Sequence, residues 1–180
     1  MDRLIKKVLK GNRKAQSQFY DEFSGLVMGV CHRYARNEDE AADIFQESFV
    51  KVFQNLGQIK DISAIHGWVK RITINTALDH MKSIKYFDEI TDESHELSDQ
   101  YYTGLLDKMS NDVILQVIEK LPEGYRIIFN MSIIDGFSHK EIGKQLNISE
   151  STSRSQLTHA RKLLKKNLNE LGITRYEQVI

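Results

Sequence analysis

Between positions 149 and 155 the chain places five hydroxyl residues, Ser149, Ser151, Thr152, Ser153 and Ser155, and follows them with Arg161, Lys162, Lys165 and Lys166. A hydroxyl at a helix start, as Ser149 would be, accepts from the open backbone N–H groups, and short side chains let the first turn approach an anion. Arg154 and Gln156 carry the donors and acceptors that suit base edges, whereas the later cations suit backbone phosphates or solvent. A second set lies in HGWVKRITINTALDHMK, where Arg71, Asn75, Asp79 and Lys82 recur at three-to-four spacing and mix cations with an amide. Both sets suit nucleic acid, and on spacing alone an ordinary helical hairpin with a wet face stays open for the first.

Those residues need helices to hold them. Ser138 and Glu141 form a capping-box pattern ahead of a helix over about 139–146, with Ile142 and Leu146 on one face. Asn147-Ile148-Ser149 then reads as a turn into a second helix from 150 onward. This is helix-turn-helix spacing, in which the second helix enters the major groove by its N-terminal residues. Upstream, a helix is expected over Asn111 to Lys120, and Pro122 suits the first position of the next one. RIIFNMSII (126–134) is β-branched enough for a strand, but no alternating partner follows, so Gly136 reads as the end of a helix. In the first half, Phe45, Phe49, Val52, Phe53 and Leu56 make one core-facing helical stripe, with Gly57 placed to end it. The opposite face carries Asp43, Gln46, Glu47 and Lys51. In the following helix Ile74, Ala77, Leu78 and Met81 can pack inward.

A chain of 180 residues, 41% hydrophobic and 28% charged, fits one globular domain or two small ones. Its longest stretch without a strongly polar residue, Gly25 to Cys31, is far short of a bilayer span, and MDRLIKK has no apolar block of signal-peptide length. The expectation is a cytoplasmic protein. The single cysteine, Cys31, excludes an internal disulfide and a cysteine zinc cage, and reads as a packed small hydrophobe. Six scattered histidines, with no His-Glu-x-x-His and no phosphate-cradling glycine loop, give no catalytic residue, metal or cofactor to expect. Net charge is zero but uneven: residues 1–84 carry +3, 85–108 carry −5 and 109–180 carry +2. Tyr86 to Tyr102 lacks helical periodicity and matches a linker. The expected fold is therefore all-α, with two small helical domains, 1–84 and 109–180, joined by a flexible acidic linker, 85–108.

Leu121-Pro122-Glu123 with Arg126, followed by SHKEIGKQLNISESTSRSQLTHARKLL, resembles region 4 of bacterial extracytoplasmic-function (ECF) sigma factors. EAADIFQESFVKVF (Glu40 to Phe53) resembles their region 2 core-binding helix, and WVKRITINTALDHMK (Trp68 to Lys82) their promoter-melting helix. The resemblance covers nearly the whole chain and implies a non-catalytic factor that gives core RNA polymerase promoter specificity. It places Asp43, Gln46 and Glu47 on the clamp helices of the polymerase β′ subunit. It places Arg71 and Asn75 against unpaired minus-ten bases, with the loop Gln58 to Gly67 walling a base pocket. Thr152, Arg154, Ser155, Gln156, His159 and Arg161 match the helix that reads the minus-thirty-five element, while that domain rests on the β flap. An anti-sigma factor is a usual partner in this family, though no residue here identifies one, and no membrane contact is expected of the chain itself. Ser151, Ser153, Gln156 and His159 stand where the family often has Gly, Val, Arg and Arg, which alters phosphate attraction and base preference. Phe45 and Ser48 replace common aliphatic residues, a change of local packing.

The tether agrees with such a role. From Ser83 to Asn111 it spans up to roughly 90 Å extended and about 30 Å as a coil, against about 34 Å for one duplex turn. A rival reading, a stand-alone dimeric helix-turn-helix regulator, would need a dimerisation seam, and the first block shows no continuous heptad pattern.

Overall fold

The computed structural model describes residues 1–82 and 116–173, and every element among them is helical or a turn. The acidic linker expected at 85–108 and the first part of the helix expected from Asn111 lie outside the described residues. The chain divides into two compact units, Met1–Ile84 and Lys85–Ile180.

The first unit contains α1 (Asp2–Leu9), α2 (Arg13–Tyr34), α3 (Glu38–Asn55) and α4 (Ile65–Lys82), with short 3-10 turns at Leu56–Gln58 and Ile62–Ala64 between the last two. Local chemistry sets the starts. Asn12 accepts from Ala15 N at 2.9 Å and Asn37 from Glu40 N at 2.8 Å, each satisfying an open N–H of a first turn. Glu38, Asp39 and Glu40 then favour the positive end of α3. Helices α2, α3 and α4 pack on one another around Phe19, Phe23, Val27, Ile44, Val52, Val69, Ile74 and Leu78, all at most 2% exposed. Each such side chain contributes about 1.5–3 kcal/mol by leaving water. Phe19 and Phe23 meet at 4.5 Å between ring centroids, and Tyr20 lies 4.5 Å from Phe49.

The expected stripe on α3 is buried at Phe45, Phe49, Val52 and Leu56, with Phe53 half-buried. Gly57 does not end α3 by a left-handed turn; Asn55 closes it and the chain passes directly into the 3-10 turn. Thr73 and Thr76, fully buried on α4, donate to the carbonyls of Val69 and Ile72 at 3.0 and 2.9 Å, so no hydroxyl there is stranded. Cys31 is fully buried, and burial pushes its thiol up to about 12.

The second unit has a short helical segment at 116–119, then α5 (Glu123–Phe129), α6 (His139–Leu146) and α7 (Glu150–Glu170). Pro122 is the N-cap of α5 rather than its first residue. The β-branched run 126–134 is no strand: α5 continues into a π-helical turn at Asn130–Ile134, closed by Asp135 N on Asn130 O and Phe137 N on Met131 O, both 2.9 Å. Gly136 at φ +75° ends it, a conformation that a side chain disfavours. Ile127, Ile128, Met131, Ile142, Leu157, Ala160, Leu164 and Leu168 form the core, with α7 packed on both α5 and α6.

Candidate nucleic-acid interface

In the second unit the helix pair that presents the hydroxyl-rich stretch is built by backbone satisfaction. Ser138 and Glu141 make the expected capping box, Ser138 Oγ accepting from Glu141 N at 3.3 Å and Glu141 Oε2 accepting from Ser138 N at 2.9 Å. Asn147 ends α6 in the left-handed region, φ 57° and ψ 42°, and Ile148 N donates to Gly143 O at 3.0 Å. Ser149 caps α7, accepting from Thr152 N at 2.9 Å. The reversal brings backbone against backbone: a Cβ on Gly143 would stand 2.8 Å from Ile148 O.

Four of the five hydroxyls face solvent at the start of α7, with Ser149 Oγ 2.7 Å from both Ser151 Oγ and Thr152 Oγ1. The fifth, Ser153, is fully buried and bonds His139 Nδ1 at 2.8 Å, pinning α7 to α6. Thr152, Arg154 and Ser155 are exposed, and Arg154 Nη2 lies 2.6 Å from Glu150 Oε1 one turn back. Gln156 is 9% exposed, because Ser153, Leu157, Ala160 and Leu164 fix the buried side of α7 and Gln156 falls on it. Its Oε1 accepts no hydrogen bond from the described residues. His159 is half-buried and stacks on Tyr125 of α5 at 6.0 Å and 22°. Arg161 is half-buried, while Lys162, Lys165 and Lys166 are exposed.

In the first unit Asp43 and Gln46 are exposed on α3, Glu47 is half-buried beside them, and Val50 extends that face with 53% exposure. Glu47 joins α3 to α4: its Oε2 lies 2.5 Å from His80 Nε2 and its Oε1 2.8 Å from Lys51 Nζ, which also approaches Asp79 at 3.7 Å. The Lys51 hydrogen bond, and after it the His80 one, hold the Glu47 carboxyl below its usual range. Arg71 and Asn75 are exposed on α4, and Trp68 is half-buried. In the loop before α4, Asp61 accepts from Ser63 N at 2.9 Å and from Ser63 Oγ at 2.7 Å, which lowers its carboxyl as well. Among the described residues no helix is long and apolar enough to cross a membrane, and no three of His, Cys, Asp or Glu gather to hold a metal.

The Sigma-70 region 2 family matches residues 19–85 and the Sigma-70 region 4 family matches 111–164. The ECF RNA polymerase sigma factor SigW of Bacillus subtilis is 30% identical, over 93% of this chain and 96% of its own length. This chain is an ECF sigma factor. The RNA polymerase sigma-H factor of Pseudomonas aeruginosa is 27% identical over 93% of each chain. The sigma factor RpoE of Bartonella quintana, solved with the anti-sigma factor NepR, shares the fold at a TM-score of 0.51, with 15% identity over 85% of this chain and 96% of that one.

Within this sigma factor two residues matter that spacing did not single out. Gly143 falls at the one place where α6 meets the chain returning from Asn147, and only the turn geometry reveals it. His80 was one of six scattered histidines, yet it is the α4 partner of Glu47. The lowered Glu47 carboxyl gives a pH prediction. Its contribution is present above the unfolded carboxylate pKa and lost as pH falls through the folded one. Replacing Glu47 by Gln should therefore lower the unfolding free energy near pH 7 by at most about 1 kcal/mol given its exposure, read as an earlier urea midpoint. The difference from the parent should shrink as the pH falls below the usual carboxylate range and vanish only below the lowered folded-state value.

Proposed function

We infer that this sigma factor binds core RNA polymerase and directs it to promoters, its two units dividing the work. The observation that carries the reading is that sigma region 2 and region 4 both match, in order, in a chain aligned with SigW over nearly its full length. In the first unit, taken as 1–84, Asp43, Gln46 and Glu47 face the β′ clamp helices. Arg71 and Asn75 take the melted minus-ten strand, and capturing bases out of the stack offsets part of the unstacking cost. In the second, taken as 109–180 after the 85–108 linker, Thr152, Arg154 and Ser155 read the minus-thirty-five duplex. Gln156, buried, and His159, half-buried on Tyr125, support that surface from behind, and Arg161 borders it at the phosphates. The factor works in the cytoplasm, and an anti-sigma protein, as NepR is to RpoE, is the class of restraining partner.

The test is promoter-selective run-off transcription by purified core polymerase with and without the chain. Selective transcripts that depend on it are expected. With zero net charge, little counterion release is available to the free protein, so the lone chain should bind promoter fragments feebly in a gel shift. Tight binding by the lone chain as a symmetric pair, without stimulation of polymerase, would refute the reading.

A further inference from the structure

The first fourteen residues hold six cations, Arg3, Lys6, Lys7, Lys10, Arg13 and Lys14, against one acid, Asp2. All six are exposed, and no ion pair ties any of them to another described residue. Arg3, Lys6, Lys7 and Lys10 follow i, i+3, i+4, i+7 spacing, one outward row of α1 opposite the buried Ile5 and Val8.

Helix-end electrostatics account for only half of this placement. Arg3 stands in the first turn of α1, and Arg13 and Lys14 in the first turn of α2, which contains no acid. A helix N-terminus favours anions, so these three cations oppose the local field, whereas Lys6 and Lys7 in the last turn of α1 and Lys10 at its C-cap are aligned with it. Six like charges on two adjoining helix ends also repel one another. Six exposed cations that repel one another, half of them also opposed by the local helix field, suit an anion from outside the chain.

Position says which anion. Helix α1 packs on α2 and on the Leu56–Gln58 turn, where Leu9 Cδ2 would lie 3.7 Å from a Cβ on Gly57. That turn runs straight into the loop 58–67 and α4. The C-terminal end of α1 thus packs on the turn that leads into the loop assigned to the base pocket, its basic row spans about 12 Å, and each DNA strand presents a phosphate about every 3.4 Å of axis. We propose that the outward face of α1 and the start of α2 form a phosphate-binding surface that holds the promoter backbone beside the minus-ten element. This rests on the minus-ten reading of the first unit.

The test uses holoenzyme reconstituted with the triple variant Lys6→Gln, Lys7→Gln, Lys10→Gln, glutamine keeping the helix propensity of these exposed sites. Promoter-fragment affinity is measured between about 50 and 200 mM salt, where each phosphate contact contributes about 0.7–0.9 to the log–log slope. The slope should become shallower by about 2–3, with core-polymerase affinity and promoter ranking unchanged. An unchanged slope overturns the proposal, whether the face proves merely solvated or the variant instead loses affinity for polymerase or another acidic protein. Asn75→Ala is assayed in parallel. If it leaves promoter opening intact while the triple variant flattens the slope, the minus-ten reading fails and the phosphate surface stands; the converse result separates them the other way.

Discussion

Replacing Gly143 by alanine is expected to disable the second unit while leaving the first intact. The new Cβ would lie 2.8 Å from Ile148 O, with Glu150 N at 3.5 Å, so the obstacle is backbone and cannot rotate away. The hydrogen bond of Ile148 N to Gly143 O holds that backbone in place, and Asn147, already left-handed, leaves the turn little slack. Overpacking of this kind costs about 1–3 kcal/mol, and for a unit of this size each kcal/mol moves the melting temperature by about 4–8 °C. Relief would come from tilting α7, which misaims Thr152, Arg154 and Ser155 together. Transcription from a promoter that depends on its minus-thirty-five element should fall about tenfold or more, the equivalent of some 1.4 kcal/mol. Binding to core polymerase and to a minus-ten probe should persist. A variant that melts and transcribes like the parent would show that the turn is not constrained as described.

The second expected result is a separation of defects between Arg154→Ala and Asn75→Ala. Arg154 is exposed near the start of α7, its guanidinium braced by Glu150 at 2.6 Å. Loss of a base-reading arginine costs about 1–3 kcal/mol, so duplex minus-thirty-five affinity should fall roughly 5- to 150-fold, with discrimination relaxed at the contacted base. Asn75 is exposed on α4, a helix whose other side is fully committed to the core through Ile74, Ala77 and Leu78. Asn75→Ala should leave the closed complex nearly intact and slow strand opening, read with a fluorescent base near minus ten. Equal losses by both variants in both assays would remove the division of labour.

What could be read in advance was whatever the backbone settles locally. Ser138 with Glu141, and Ser149 before a polar run, marked two helix starts because an open N–H group needs an acceptor within three residues. The stripe from Phe45 to Leu56 was legible because 3.6-residue periodicity leaves a core-facing side no other reading. Residues 126–134 have the β-branched content of a strand, yet the lack of an alternating partner already made Gly136 the end of a helix; the π turn at Asn130–Ile134 was not legible. The orientation of Gln156 was also hidden, although Leu157, Ala160 and Leu164 contained the clue: a position three beyond Ser153 and four before Ala160 cannot avoid the seam. Gly143 and His80 escaped because each acts through a residue brought near only by the chain reversal or by the α3–α4 contact.

The burial of Cys31 fixes the thiol chemistry of the folded chain. A thiol with no exposed surface and an ionisation near 12 has almost no thiolate at neutral pH, and thiolate is the species that peroxides, disulfides and maleimides attack. Oxidation of the single thiol is therefore disfavoured in the folded chain. The same inertness makes the parent a ready background for labelling: a cysteine placed on either unit would be the sole reactive handle for a dye or a cross-linker.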